Sequence, residues 1–350
     1  MSSLIVRLKE AVFEAMADLV LIPEPPDGLR EAALRGNLVL FVGAGVSRLA
    51  GCPGWDEFAN QALHQLIKKR HLSHAQFAQI KHLSPRIKLA IATNIASEEV
   101  AALDYDALLP TPKNAHDQGK RLYTSLFKLG RVFVTTNYDR WLDTQIIESV
   151  PAATPADTPT APATTNMTVI YRDVEFLPAA LAQPNTVIHL HGSVNEPSEM
   201  VLTTRQYVER YANDHRTGDP IQENRTLTLL EHLFANYTVL FIGYGLEELE
   251  ILEYVILKAK RQQYADHIEA RHYLLQGFFS HEETVKRSME AYYLRDCGIQ
   301  LIPFLRDEQD HGQLLEVVER FAQLIPAQPP LVLGQTRTLE QLASEMEPLK

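Results

Sequence analysis

Six short apolar runs punctuate the chain, at Leu38–Val42, Val132–Thr135, Val187–Leu190, Thr238–Ile242, His272–Leu275 and Ile299–Phe304. Their apolar positions are mostly consecutive instead of alternating, the pattern of strands covered on both faces, as in a parallel sheet. Helical spacing separates most of them. Trp55, Phe58, Ala59, Ala62, Leu63, Leu66 and Ile67 recur on one helical face, and Ser280 with Glu283 offers a capping box ahead of a later helix. Alternating strands and helices predict an α/β protein with a Rossmann-like, doubly wound parallel sheet of about six strands.

The first two runs are separated by roughly 90 residues, far more than one crossover needs. A helical insertion at about 55–130 is expected to fill the gap, from pieces at Trp55–Arg70, His74–Leu83, Ile87–Ala96 and Gly119–Leu129, broken by Pro85, Pro110 and Pro112. Residues 1–36 read as an amphipathic helical extension and 37–325 as the catalytic body. A Pro/Ala/Thr-rich tract at 150–166 reads as an exposed flexible loop, either capping a cleft or inserted at the surface. Residues 326–350 read as a linker and a short helix suited to contact with a neighbouring chain.

Composition narrows the function classes. With 45% hydrophobic and 22% charged residues the chain is not of a disordered type, and a net charge of −11 disfavours a broad nucleic-acid surface. Charged residues interrupt the apolar N-terminus and no run reaches membrane-span length, so a cytoplasmic location without membrane contact is expected. Cys52 and Cys297 are too few for a disulfide framework or a four-thiolate zinc site. The basic cluster Lys68-Lys69-Arg70-His71 reads as a helix terminus, where cations meet the helix dipole.

Four motifs close four of the apolar runs: FVGAGVS at Phe41–Ser47, TTNYD at Thr135–Asp139, HLHGS at His189–Ser193 and FIGYG at Phe241–Gly245. In the first, Gly43-Ala44-Gly45 ahead of a helix offers backbone N–H groups to an anion and lets a diphosphate approach closely; a tight structural turn is the equal alternative. Arg48 stands where a dehydrogenase fingerprint needs its third glycine, and a phosphate-loop Gly-Lys-Ser/Thr is absent.

Asn137 and Asp139 follow the second strand, where they could serve catalysis or simply cap a helix holding Trp141 and Leu142. His191 is placed beyond the third run with a near-neutral intrinsic pKa suited to a general base. His189 pairs with it as His-x-His, either a metal pair or a satisfied buried histidine; a metal site from His64, His71, His74 and His82 would need one helix through all four, and Ser73 starts a new one.

In this order and spacing the motifs resemble those of the SIR2 (sirtuin) superfamily, over roughly Leu38 to Ala322. Gly51-Cys52-Pro53-Gly54-Trp55 is similar to the form found in its bacterial antiphage-defence NADase branch, which lacks the zinc module, and the element from Val201 to Tyr207 resembles another feature of that branch. The resemblance implies NAD as substrate and no zinc. It makes Asn137 and His191 catalytic, with Gly43, Ala44, Gly45, Ser47, Thr136, Asp139, Gly192, Gly243 and Tyr244 binding the nucleotide. Asp139 would bind the nicotinamide amide, and the turn at Gly243 the ribose and adenine. Glu247, Glu248 and Glu250 would give the next helix an acidic start.

Breaking the nicotinamide–ribose bond passes through an oxocarbenium-like state, as in glycoside cleavage. The resemblance therefore implies an NAD+ hydrolase yielding ADP-ribose and nicotinamide, the NAD-depleting effector of a bacterial defence system. A homo-oligomer is expected, with activity gated by assembly or by a separately encoded HerA-type ATPase. The alternatives are a zinc-free deacylase or ADP-ribosyltransferase, and a non-catalytic NAD-binding scaffold.

Overall fold

The computed structural model describes residues 19–109, 117–146, 164–211, 224–245 and 271–328. The readings placed on the first eighteen residues, on most of the 150–166 tract, on Pro110 and Pro112, on Glu247, Glu248 and Glu250, and on the tail beyond Gln328 lie outside them.

The apolar runs pair into a seven-stranded sheet in which all neighbours are parallel. In chain order the strands are β1 (Leu38–Val42), β2 (Val132–Thr135), β3 (Thr168–Ile170), β4 (Thr186–His189), β5 (Thr238–Ile242), β6 (His272–Phe278) and β7 (Ile299–Leu305), and across the sheet they run β3-β4-β2-β1-β5-β6-β7. The six expected strands are present within a residue or a few of their forecast limits. The seventh, β3, is a three-residue edge strand with one exposed and two half-buried side chains, too short and too little covered to leave an apolar run. Residues 164–166 of the tract read as loop form a strand, Thr164–Asn166, antiparallel to Thr144–Ile146.

Continuous burial of the central strands follows from two apolar layers. Leu38, Leu40 and Val42 face α1 (Asp27–Leu34), α6 (Asp117–Leu129) and a C-terminal helix, Gln313–Leu324, whereas Val39 and Phe41 pack with the helix Arg225–Asn236 on the other side. The chain between residues 44 and 98 supplies α2 (Ala44–Leu49), α3 (Trp55–Lys68), α4 (His74–Ile80) and α5 (Pro85–Glu98). Of these, α3 and α5 share a third apolar core around Phe58, Leu63, Leu66 and Leu89, which is the inserted helical lobe. The segment Gly119–Leu129, grouped with that insertion by sequence, instead lies in α6 and packs on the sheet through Leu122, Leu126 and Leu129.

Lys88 anchors the lobe from inside. Its side chain is fully buried and meets the Asp56 carboxylate, Asn60 Oδ1 at 2.8 Å and the Lys81 carbonyl at 3.3 Å, tying α5 to the start of α3. Ser73 caps α4 with Gln76 in a reciprocal capping box, so the histidines at 64, 71, 74 and 82 do not share one helix. The capping role expected of Ser280 and Glu283 belongs elsewhere: Glu282 accepts from the Phe279 N–H, Asp307 from the Ser280 N–H, and Glu283 pairs with Arg287.

Chain order reverses across the sheet between β1 and β5, the place where ligand crevices open in such folds. Here two glycine turns fill it. Gly45 N–H donates to Gly243 O at 2.8 Å, and Gly43 N–H to Ile242 O at 2.9 Å. A Cβ on Gly43 or Gly45 would sit 2.6 or 2.8 Å from the Gly243 oxygen. Gly243 has φ +70°, and a Cβ there would lie 2.6 Å from the Val46 nitrogen. Gly243→Ala should therefore cost about 2 kcal/mol or more in urea unfolding. Gly245→Ala, where a Cβ meets nothing within 4 Å among the described residues, should change stability by no more than about 0.5 kcal/mol.

Candidate active site

Three strand ends and the helical lobe enclose one cleft at the carboxyl edge of the sheet. Ala44 and Ser47 come from α2, Thr136 to Asp139 from the segment after β2, and His191 from the turn after β4; Cys52, Pro53, Trp55, Phe58 and Arg86 close it from the lobe side. Val201, Leu202, Thr203 and Tyr207 complete the wall. Thr203 also caps α7 (Thr204–Tyr211) by exchanging hydrogen bonds with Gln206. The 201–207 element is thus both a helix start and a cleft wall.

Asn137 is the fixed point. Its backbone N–H donates to Thr135 Oγ1 at 3.0 Å, and its side-chain Nδ2 donates to Gly43 O at 3.0 Å and Ser47 Oγ at 2.8 Å. Both amide protons are spent, so Asn137 offers a ligand its Oδ1, an acceptor. Ser47 passes the chain on, donating to Asp139 Oδ2 at 2.6 Å. Its one proton is then committed, which makes the Tyr123 hydroxyl at 3.2 Å a donor to Ser47 Oγ.

Asp139 Oδ1 accepts from the Trp141 N–H at 3.1 Å. Residues 139–143 form bends and turns, not the helix expected around Trp141 and Leu142, because this side-chain bond closes a local turn. Neither Asn137 nor Asp139 is therefore a helix cap. Burial raises the Asp139 pKa, against the Ser47 and Trp141 hydrogen bonds and the nearby His189, which lower it.

The two histidines of HLHGS have opposite electrostatics. His189 is buried with Nδ1 2.8 Å from the Asn137 carbonyl and Nε2 2.8 Å from Asp143 Oδ1. Both neighbours accept, so both ring nitrogens carry protons. Burial opposes that charge, but Asp143 and the Asn137 carbonyl outweigh it and raise the pKa above 6.5. His191 sits two residues on, beyond the end of β4, with Nε2 2.8 Å from the Tyr211 hydroxyl and its ring edge-on to those of Tyr207 and Tyr211. Burial first, then the cations of Arg210 and Arg86, lower its pKa to about 3 and keep it neutral at pH 7.

Of the residues singled out by sequence, Ala44, Ser47, Thr136, Asn137, Asp139 and His191 meet at the cleft. Gly43, Gly45, Gly192, Gly243 and Tyr244 are not on its lining. The N–H groups of Gly43 and Gly45, expected to be free for an anion, are bonded to the chain after β5. Gly192, at φ +80°, makes the turn that presents His191. Tyr244 is buried, with its hydroxyl 2.9 Å from Thr136 Oγ1.

Sequence reasoning missed Arg86, Tyr123, Asp143 and Tyr211, which reach the site across 20 or more positions. The aromatic positions among them carry no local signal beyond their type. Among the described residues no group of three or more His, Cys, Asp and Glu is placed to hold a metal ion, and no helix is long and apolar enough to cross a membrane.

Residues 131–302 match the SIR2-like domain family. A SIR2-like domain of the sirtuin superfamily therefore occupies that span, which runs from β2 into β7 and includes Asn137, Asp139 and His191. The superfamily includes NAD-utilising enzymes. No curated protein matches the chain.

Asp143→Asn should release His189 from its charged state. In wild type, protonated His189 stabilises the fold most below the unfolded-state pKa of 6.5, and this is lost as pH rises through the elevated folded value. The wild type's stability advantage over Asp143→Asn should therefore be largest on the acid side of 6.5 and shrink toward alkaline pH. Denaturant melts across pH, with the His189 titration followed by NMR, check both.

Proposed function

We propose that this SIR2-like domain is an NAD+ hydrolase that cuts the nicotinamide–ribose bond. The observation that carries the reading is the meeting, in one cleft, of an asparagine with only its Oδ1 left to offer and a histidine presented beyond the end of β4. A departing nicotinamide takes the bonding pair and leaves an oxocarbenium-like C1′. Asn137 Oδ1 accepts a hydrogen bond from the attacking water or from a ribose hydroxyl, and His191 takes the one proton that water loses as it bonds to C1′. The products are ADP-ribose, nicotinamide and one proton.

Around that step the chain's residues bind and exclude. Asp139, the one carboxylate on the lining among the described residues, suits the pyridinium end of the substrate. Trp55 and Phe58 stack with Tyr138 at ring distances of 5.7 and 6.1 Å and wall the cleft with apolar surface. Exchange of Ser47 or Trp141 for the nicotinamide amide as the partner of Asp139 would let that carboxylate read the leaving group.

The similarity of the Gly51–Trp55 segment to bacterial defence NADases supports NAD depletion as the physiological outcome. In that reading the protein is a cytoplasmic effector whose activity waits on self-assembly or on a HerA-type ATPase.

Purified protein, alone and after concentration-driven assembly, should release nicotinamide and ADP-ribose in equal amounts from NAD without any acyl substrate. Asn137→Ala and His191→Ala should each lower kcat by roughly 10²-fold or more, the usual size of a lost acid–base or positioning contribution, while each variant still unfolds in a cooperative thermal transition. Appearance of an O-acyl-ADP-ribose or of labelled protein would move the function to deacylation or ADP-ribosyl transfer. Tight NAD binding with no cleavage in any assembly state would leave a scaffold.

A further inference from the structure

We propose that Arg86, supplied by the helical lobe, is the phosphate contact of this cleft and makes it select nicotinamide nucleotides over the unphosphorylated riboside. The proposal rests on the NAD-cleaving reading of the same site and assigns its substrate specificity.

Two observations converge on Arg86. The first is charge placement. Among the described residues lining the cleft, Arg86 is the one Lys or Arg and Asp139 the one carboxylate. Asp139 is buried at the sheet edge, whereas Arg86 is exposed, with its guanidinium carbon 4.1 Å from the ring centroid of Tyr207. Stacking on Tyr207 fixes the plane of the guanidinium and leaves its N–H edge for a ligand. No ion pair to Arg86 is formed among the described residues. Arg210, the other cation near His191, lies within 4.0 Å of Asp173 and 3.5 Å of the Glu199 carbonyl, and its side chain is only 9% exposed.

The second observation is where phosphate is not accommodated. A glycine turn after β1 would ordinarily receive a diphosphate on its N–H groups. In this chain the N–H groups of Gly43, Gly45 and Val46 are bonded to Ile242 O, Gly243 O and Gly43 O, and the glycine surfaces are covered by the chain after β5. Compensation of two phosphate charges then falls to a side chain. The substrate is itself bipolar, with a cationic pyridinium at one end of its ribose and anionic phosphate at the other, and the cleft wall carries both a carboxylate and a guanidinium. Arginine suits this task because its planar fork can give two parallel hydrogen bonds to one phosphate.

The test is a set of dissociation constants for NAD, nicotinamide mononucleotide and nicotinamide riboside, by calorimetry on the full chain, for wild type, Arg86→Ala and Arg86→Lys. Binding is read instead of turnover, so an unmet activation requirement does not hide the result. Arg86→Ala should weaken NAD and the mononucleotide by roughly 10–100-fold, the scale of a charge-assisted hydrogen-bonded contact, and by at least ten times more than it weakens the riboside. Arg86→Lys should recover part of the loss. Equal weakening of all three ligands, or unchanged NAD binding in Arg86→Ala, overturns the proposal while the NAD reading stands. Failure of wild type to bind NAD at all overturns both.

Discussion

Asn137 is held by hydrogen bonds drawn from three strand ends at once, and the cleft takes its shape from that constraint. Thr135 at the end of β2 receives its N–H, Gly43 at the end of β1 receives its amide, and His189 at the end of β4 donates to its carbonyl. Thr135 in turn donates to the Val42 carbonyl at 2.7 Å. Buried polar groups left unpaired here would each cost about 1–3 kcal/mol, so the edges of the three strands are locked in mutual register by the same bonds that aim Asn137. Site geometry and sheet geometry are in this sense one network.

That network explains why two histidines two residues apart differ in charge. His189 is the last residue of β4 and points into a space bounded by a carbonyl and a carboxylate, so burial there favours the proton. His191 has left the strand, after a turn in which Gly192 N–H bonds back to the His189 carbonyl at 3.1 Å, and it meets tyrosine rings and cations instead. Intrinsic pKa alone could not separate them. The strand register could, once it was known which elements pack against each ring.

The same distinction marks what could be read from the chain alone. The central strands were legible because burial on both faces writes itself as consecutive apolar residues, and the motif positions were legible because strand ends in this fold carry the chemistry. β3 was not, since a three-residue edge strand buries too little to leave a pattern. The turn at Trp141 was read as helix because Asn and Asp favour helix caps and turns alike, and only the Asp139–Trp141 bond decides between them. Two glycines at 43 and 45 permit a close approach, but a sequence does not say whether the approaching group is a phosphate or, as here, Gly243. Arg86, Asp143 and Tyr211 depend on contacts between distant segments, for which local spacing carries no signal.

The helical lobe turns an open sheet edge into an enclosed site. Its own core is small; Lys88 buried against Asp56 and Asn60 ties its two long helices together, and the stack of Trp55 and Phe58 on Tyr138 joins it to the segment after β2. Tyr138 lies between Asn137 and Asp139, and its hydroxyl donates to the Val201 carbonyl at 2.6 Å. One side chain thus touches the lobe, the cleft wall and the segment carrying the reactive groups. A displacement of the lobe would be transmitted through Tyr138 to the neighbours of Asn137 before it altered any strand, since the strands are braced by their own ladder of bonds. Burying Lys88 is costly unless its charge is paired, and that requirement fixes α5 against α3 within the lobe. Lys88, itself off the cleft lining, therefore helps hold in place the helices that carry Trp55, Phe58 and Arg86 to the cleft.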